Sequence, residues 1–330
     1  MNDLKRACSA FFKNCASSFS WEAFLCLEMQ SFKLPPRLTN GDTIALVAPA
    51  KKLTSDVIDL AKHFLEEKGY SVWVGPNALK ENGGFAGSDE ERASDFQHAL
   101  NDPSIKAILC LRGGYGSIRI LNLLDFSFFR KKPKWIAGFS DITLFHSLLS
   151  NSFGLCSLHS TMPLDFSRNS PESLDSLIHT LKGKTLHYEL PSSPKNRTGI
   201  TSGILTGGNL SLLHNLQGTE LDFNPKHKIL FIEEVSESLY AVDRMIQSFK
   251  LAGKFDELAG LIVGGMTKVS DAGDWFSHRD LQDLILEATR EYRFPIAFDF
   301  PAGHISDNRC LVMGRMANLV VGDQVSLNFV

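Results

Sequence analysis

Long apolar runs are missing from this sequence: charges, Gly or Pro interrupt every hydrophobic stretch before it nears the roughly 18 consecutive apolar residues of a membrane span. The chain is therefore expected to be soluble. An excess of charge of one sign is missing too, since 34 Lys+Arg against 37 Asp+Glu leave a formal charge of −3. That balance gives no footprint for nucleic acid or an anionic membrane as partner. Closely spaced cysteines are absent: Cys8, Cys15, Cys26, Cys110, Cys156 and Cys310 form no close pair and no metal-ligand spacing. There is no His-Glu-x-x-His and no tight His and Cys cluster, so no metal site is expected, and the thiols read as reduced in a cytoplasmic protein. Internal repeats are lacking as well.

Residues 1–28 also lack the features of a secretory signal. Lys5 and Arg6 precede Phe11, Phe12, Phe19 and Phe24, but Lys13, Asn14, Ser17, Ser18 and Ser20 break the apolar region and no small-residue cleavage site follows. This segment is expected to be an N-terminal extension, a loosely attached arm or the product of a start placed too early, with ordered patterning beginning near Met29.

What is present, 330 residues with 43% apolar and 22% charged, suits a folded chain of about two domains. From Ile44 short β-rich runs alternate with amphipathic stretches, the pattern of a parallel sheet covered by helices. Strands are expected at 44–48, 71–74, 107–111, 135–138 and 155–159. Helices are expected at 55–68, with Val57, Ala61, Phe64 and Leu65 on one face, behind the Ser88/Glu91 capping box, and at 141–149. This gives an α/β domain over 29–165. Across 166–197 Ser, Pro, Asn and Lys dominate apart from a short helical piece near Leu174 to Leu181, which reads as an interdomain connection. A second, mixed β-rich domain over 198–330 resumes with strands near 200–205, 228–232, 261–264 and 296–298. It includes a helix from Asn209, a helix presenting Leu239, Val242, Ile246 and Phe249, and closing strands from 311 to 330.

The sharpest local feature is Arg112-Gly113-Gly114-Tyr115-Gly116-Ser117, between a buried strand and the helix beginning near Ile118. Glycines permit a tight strand-to-helix turn that presents a serine hydroxyl beside helix N–H groups. A nucleophile elbow, a phosphate-cradling loop and a plain structural turn all compete for it. Arg119 occupies the place where a dinucleotide fingerprint needs its third glycine, and Ser117 directly follows Gly116 where a P-loop needs Lys. A serine nucleophile requires a base and usually a carboxylate to orient that base. Of the 10 histidines, His63, His98 and His146 fall on predicted helices, whereas His304 lies in the post-strand loop Phe300 to Asn308, where a ring reaches a cleft or bonds backbone. Glu233 and Glu234 end a hydrophobic strand, and alternation sends them to opposite sides, so at most one shares a face with the site; solvated strand-end charges are the competing reading.

Taken in order, several segments resemble the LD-carboxypeptidase family of serine peptidases, the muramoyltetrapeptide carboxypeptidases, from Met29 to Val330. They are Pro35-Pro36-Arg37-Leu38, Gly41-Asp42-Thr43-Ile44-Ala45-Leu46-Val47-Ala48-Pro49-Ala50, Gly87-Ser88-Asp89-Glu90-Glu91-Arg92, Arg112 to Ser117, Gly138-Phe139-Ser140-Asp141-Ile142-Thr143, Gly207-Gly208-Asn209-Leu210 and Tyr240-Ala241-Val242-Asp243-Arg244. The resemblance implies a flavodoxin-like or amidotransferase-like N-terminal domain carrying the serine, and a C-terminal swivelling β/β/α domain supplying Glu and His, with the active site between them. Carried over, it makes Ser117 the nucleophile, His304 the general base and Glu233 the acid that orients it; Glu234 stands where the family often has Asp. The implied reaction removes the terminal D-alanine from murein tetrapeptide or a muropeptide in cell-wall recycling. No cofactor is implied, and such enzymes are commonly homodimers.

Backbone N–H groups near Ile118, with a second donor from Gly114 or the Gly87 loop, are the expected oxyanion hole. Arg112 and Arg244 are candidates for the substrate carboxylate, although Arg244 beside Asp243 equally suits a structural ion pair. Ser140, Asp141 and Asn209 either line the site or cap the helices that follow them. Two alternatives stay open: a microcin-type self-immunity peptidase acting on a peptide-nucleotide amide, for which Trp275 in the 268–278 loop is a possible aromatic platform, and a non-catalytic ligand-binding module.

Overall fold

The computed structural model describes residues 32–270, 276 and 280–330. The first sheet grows from β1 (Thr43–Val47), β2 (Ser71–Val74), β3 (Ile105–Cys110), β4 (Trp135–Gly138) and β5 (Ser157–His159). Four of these strands are short apolar runs covered on both faces, which is why they read as near-continuous hydrophobic sequence rather than alternation. They run parallel in the order β2-β1-β3-β4-β5, and β11 (Leu311–Met313) closes the edge antiparallel to β5. This is the flavodoxin-like order, whose topological switch point lies between β1 and β3. Helix α1 (Ser55–Glu67) buries Val57, Ile58, Ala61 and Leu65 against the sheet. Helix α2 (Asp89–Asn101) starts on the expected capping box, with Glu91 N–H donating to Ser88 Oγ and Ser88 N–H donating to Glu91.

Two short helices, α3 (Ser117–Ile120) and α4 (Ser127–Lys131), follow β3. The helix expected at 141–149 is broken into a 3-10 turn over Ser140–Ile142, a helix α5 (Thr143–Ser147) and a wider π turn over Leu148–Ser152. Its His146 is buried and satisfied, with ring nitrogens 2.8 Å from Ser157 Oγ and 3.0 Å from the Gly138 carbonyl.

The segment 166–197 is more ordered than its composition suggests. Ser170 caps helix α6 (Pro171–Leu181), and strand β6 (His187–Pro191) forms one edge of the second sheet. Only Tyr188 and Leu190 mark that strand as apolar, and Pro191 is tolerated because it sits at a sheet edge. The remaining elements are β7 (Gly199–Asn209), α7 (Leu210–Asn215), β8 (Lys228–Val235), α8 (Leu239–Leu251), β9 (Gly260–Thr267), α9 (Leu281–Ala288), β10 (Ile296–Ala297), β12 (Met316–Val321) and β13 (Gln324–Phe329). The order is β10-β9-β8-β7-β12-β13-β6: four parallel strands followed by an antiparallel meander.

A single buried cluster runs from Ile44 and Leu46 through Leu311 and Met313 to Phe231 and Leu319, so the two sheets share one core. The backbone is stitched there as well: Gly314 N–H donates to the Leu205 carbonyl and Leu205 N–H to the Arg315 carbonyl, each within 2.9 Å. Among the described residues no helix is long and apolar enough to cross a membrane. Cys110, Cys156 and Cys310 are buried free thiols; Cys8, Cys15, Cys26 and the extension 1–28 with its boundary near Met29 lie outside the described residues.

Candidate active site

Ser117 is the first residue of α3, at the carboxyl end of β3 and beside the switch point of the first sheet. It is fully buried. The turn before it is fixed from three directions. Arg92, a buried side chain on α2, donates from Nη1 to the Pro49 carbonyl at 2.5 Å and the Gly116 carbonyl at 3.0 Å, and is ion-paired to Asp89. Asp89 also holds Arg119 at 2.7 Å. From the 3-10 turn that follows β4, Asp141 Oδ2 accepts the Ser117 backbone N–H at 2.9 Å. Burial pushes the Asp141 carboxyl above the usual carboxylate range, against the pull of the Ser117 hydrogen bonds and the Arg92 and Lys51 charges.

His304 follows β10 on a loop whose backbone is pinned at several points. Gly303 N–H donates to Asn308 Oδ1 at 2.8 Å, and the His304 carbonyl accepts the Thr267 hydroxyl at 3.1 Å. The ring Nδ1 lies 2.6 Å from Glu233 Oε2, and Glu233 is fully buried on β8. Gly303 has a φ of +106°, and a Cβ there would sit 2.7 Å from Glu233 Cβ, so only glycine lets the loop lie on the carboxylate. Burial alone would lower the His304 pKa; the Glu233 hydrogen bond and charge, with Glu234 and Asp165 adding to them, outweigh it and leave it raised. The His304 ring packs on Phe139, centroids 4.8 Å apart, and Phe139 is the residue before Ser140 and Asp141. The two halves therefore meet with the imidazole beside the segment that fixes the Ser117 amide.

Glu233 and Glu234 are both buried, so neither is a solvated strand-end charge. Glu234 points to α7: its carboxylate accepts Asn209 Nδ2 at 3.0 Å, the Ser211 N–H at 2.8 Å and the Val235 N–H at 2.8 Å. Asn209 is the N-cap of α7, with Oδ1 accepting the Leu212 N–H at 3.2 Å, and its own N–H donates to Thr143 Oγ1 on α5. Its side chain is thus engaged in capping and in Glu234. Ser140, at a φ of 62°, makes no side-chain cap hydrogen bond, and Asp141 reaches to Ser117 instead of capping its own helix. Of the two roles open to that pair, capping of the following helix is not the one the structure shows.

The remaining candidates are spread out. Gly114 and Ile118 flank Ser117 on the turn, with Ile118 exposed, while Gly87 precedes the N-cap of α2. Arg112 Nη1 donates to the Lys52 carbonyl at 2.8 Å and its charge faces Asp165. Arg244 is exposed on α8 with its guanidinium 5.8 Å from the centre of the Tyr240 ring. Trp275 lies outside the described residues. Sequence reasoning assigned no role to Arg92, Asn308 or Thr267; Arg92 closes the quoted Gly87 to Arg92 segment, and Asn308 closes the His304 loop, which are the signals that pointed to them. It also passed over His159, fully buried between Phe139 and Phe231 with no hydrogen-bond partner for either ring nitrogen. A separate cavity of about 620 Å³, lined by Lys33, Arg37, Lys106, Phe128 and Lys131, lies by the start of β3 and touches none of these groups. Among the described residues no cluster of three or more His, Cys, Asp and Glu is arranged to hold a metal.

A flavodoxin-like sheet carrying a serine turn, joined to a second sheet that supplies a carboxylate and histidine pair, defines a two-part α/β protein. The LD-carboxypeptidase N-terminal domain matches residues 44–160 and the LD-carboxypeptidase C-terminal domain matches residues 202–319, and the chain belongs to this peptidase family. It is 32% identical over 301 residues to a probable murein peptide carboxypeptidase of Bacillus subtilis, covering 89% of this chain and 93% of the relative. It is 30% identical over 292 residues to the murein tetrapeptide carboxypeptidase of Pseudomonas aeruginosa, covering 84% and 92%. Among solved structures it resembles the muramoyltetrapeptide carboxypeptidase of Oxalobacter formigenes, with a TM-score of 0.79, 28% identity and 87% and 98% coverage. The microcin C7 self-immunity protein MccF, in complex with aspartyl sulfamoyl adenosine, shares the fold at a TM-score of 0.81 and 22% identity, covering 90% and 98%.

Proposed function

We propose that this peptidase is a serine-type LD-carboxypeptidase that releases the terminal D-alanine of murein tetrapeptide. The observation that carries the reading is the 2.6 Å contact between Glu233 Oε2 and His304 Nδ1, with the ring seated on Phe139 beside the Ser117 turn. A carboxylate on Nδ1 keeps the proton on that nitrogen and leaves the Nε2 lone pair as the base.

Ser117 Oγ attacks the carbonyl carbon of the amide that joins the diamino acid to D-alanine while His304 Nε2 takes the hydroxyl proton. The tetrahedral oxyanion is held by backbone N–H groups, Ile118 with Gly114 or the Gly87 loop; losing one such donor costs about 3 kcal/mol of transition-state stabilisation. The Ser117 N–H is already bonded to Asp141, so it is not counted among them. His304 then passes its proton to the departing amine of D-alanine, the C–N bond breaks, and an acyl-enzyme on Ser117 remains. Water, deprotonated by the same Nε2, releases the tripeptide. The same reading carries a homodimer acting in the cytoplasm on murein fragments, which sedimentation and cell fractionation test directly.

The deciding experiment is release of D-alanine from murein tetrapeptide by purified protein, with Ser117→Ala as the paired control and an aminoacyl-nucleotide analogue as second substrate. Release by wild type, reduced about 10⁴-fold or more in Ser117→Ala, is the expected result. Equal release by the variant removes Ser117 as nucleophile. Hydrolysis of the nucleotide analogue alone favours the microcin-type alternative, and saturable binding without hydrolysis favours the ligand-binding module.

A further inference from the structure

We infer that Lys51 is the cation that recognises the terminal carboxylate of the substrate, an assignment that rests on the carboxypeptidase reading above. A carboxypeptidase has to select a chain end carrying a free carboxylate, and the cations around the nucleophile turn differ in what they already hold. Arg92 is buried on two carbonyls and Asp89, and Arg119 is paired with the same Asp89. Lys52 is paired with Glu81 at 2.6 Å. Arg112 is tied to the Lys52 carbonyl and faces Asp165, and Arg244 is stacked on Tyr240.

Of these cations only Lys51 and Arg244 have side chains that make no hydrogen bond and no ion pair with any described residue, and the Arg244 guanidinium already lies over the Tyr240 ring, while the Lys51 ammonium acts on Asp141 only through its charge. Lys51 follows β1, the strand beside β3 at the switch point where ligands of open parallel sheets bind. Its aliphatic stem lies across the serine turn: a Cβ on Gly114 would meet Lys51 Cδ at 2.6 Å and Cγ and Cε at 3.0 Å. Gly114 has a φ of +112°, so the absence of a side chain there serves both the turn and the passage of the lysine stem. Laid along the Gly114 backbone on an exposed residue, the side chain is placed before substrate arrives and needs to break no ion pair to bind a carboxylate.

The test compares the tetrapeptide ending in free D-alanine with the same peptide ending in D-alaninamide, using the full chain as wild type, Lys51→Met and Lys51→Arg. Lys51→Met is expected to lower kcat/KM on the free acid about 10- to 100-fold, mainly through KM, and to leave the amide unchanged. The acid-over-amide preference then collapses, and Lys51→Arg restores most of it. An unchanged preference in Lys51→Met, or an equal fall on both substrates, overturns the assignment and leaves the carboxypeptidase reading intact. A wild-type protein that releases neither D-alanine nor D-alaninamide overturns both.

Discussion

Glu233 Oε2 stands 2.6 Å from His304 Nδ1, although one residue lies within β8 and the other on the loop beyond β10. The adjacent Glu234 carboxylate turns away to hold Asn209 and the first turn of α7. Two neighbouring acids of the same type thus have separable jobs.

Substitution of each acid by its amide separates those jobs. Glu233→Gln keeps the shape and removes the charge beside the imidazole, so kcat is expected to fall about 10³- to 10⁴-fold, with little change in unfolding midpoint at a pH where His304 is neutral. Glu234→Gln leaves one of three donors without an acceptor and is expected to cost about 1–3 kcal/mol of stability with a smaller loss of rate. Steady-state kinetics and denaturant unfolding on both variants check the pair; the reverse pattern would exchange the two roles.

The pH profile follows from the direction of the His304 shift. Its raised pKa keeps the imidazolium, which is useless as a base, to higher pH than an ordinary histidine of about 6.5. The rising limb of kcat/KM is therefore expected above that value, and Glu233→Gln should move it to lower pH because the neighbouring charge is gone. For stability the sign is opposite: the His304⁺ and Glu233⁻ pair adds stability that is fully present below the unfolded histidine pKa and fades as pH rises through the raised one. A rate independent of pH across this range, with chemistry limiting, would remove His304 as base.

Gly303→Ala tests whether the loop must lie on the carboxylate. Its Cβ would meet Glu233 Cβ at 2.7 Å from a backbone that side chains rarely adopt, so the variant should either lose about 1–3 kcal/mol or move His304 off Glu233. Unfolding and the pH profile distinguish these results, because displacement of the ring lowers the kinetic pKa. A variant with wild-type stability and profile would show that the loop tolerates the side chain.

Much of this architecture is legible before folding because local rules and tertiary demands agree. The capping box at Ser88, the buried runs of β3 and β4 and the face of α8 each satisfy a single period. The order of the glycine-rich turn, the paired acids and the loop histidine is legible for the same reason: each sits where a strand ends. What escapes is set by contacts remote in sequence. Strand β6 exists because β13 is there to pair with Tyr188 and Leu190. The burial of Arg92 depends on the Pro49 and Gly116 carbonyls, 43 and 24 residues away, and no local pattern announces them. Asp141 looks like a helix cap because Asp in that position usually is one; only the turn brought beside it by the sheet order diverts its carboxylate to Ser117.

The insertion of β11 at the edge of the first sheet orders events during synthesis. A ribosome has made Ser117 and all five parallel strands by residue 159, yet β5 gains its outer neighbour only when Leu311–Met313 emerge, seven residues after His304. Over that long interval the nascent chain carries Ser117 without His304, the base that the proposed mechanism assigns to it. On the proposed mechanism, a product of premature termination lacks the edge strand of its first sheet and its general base for one and the same reason.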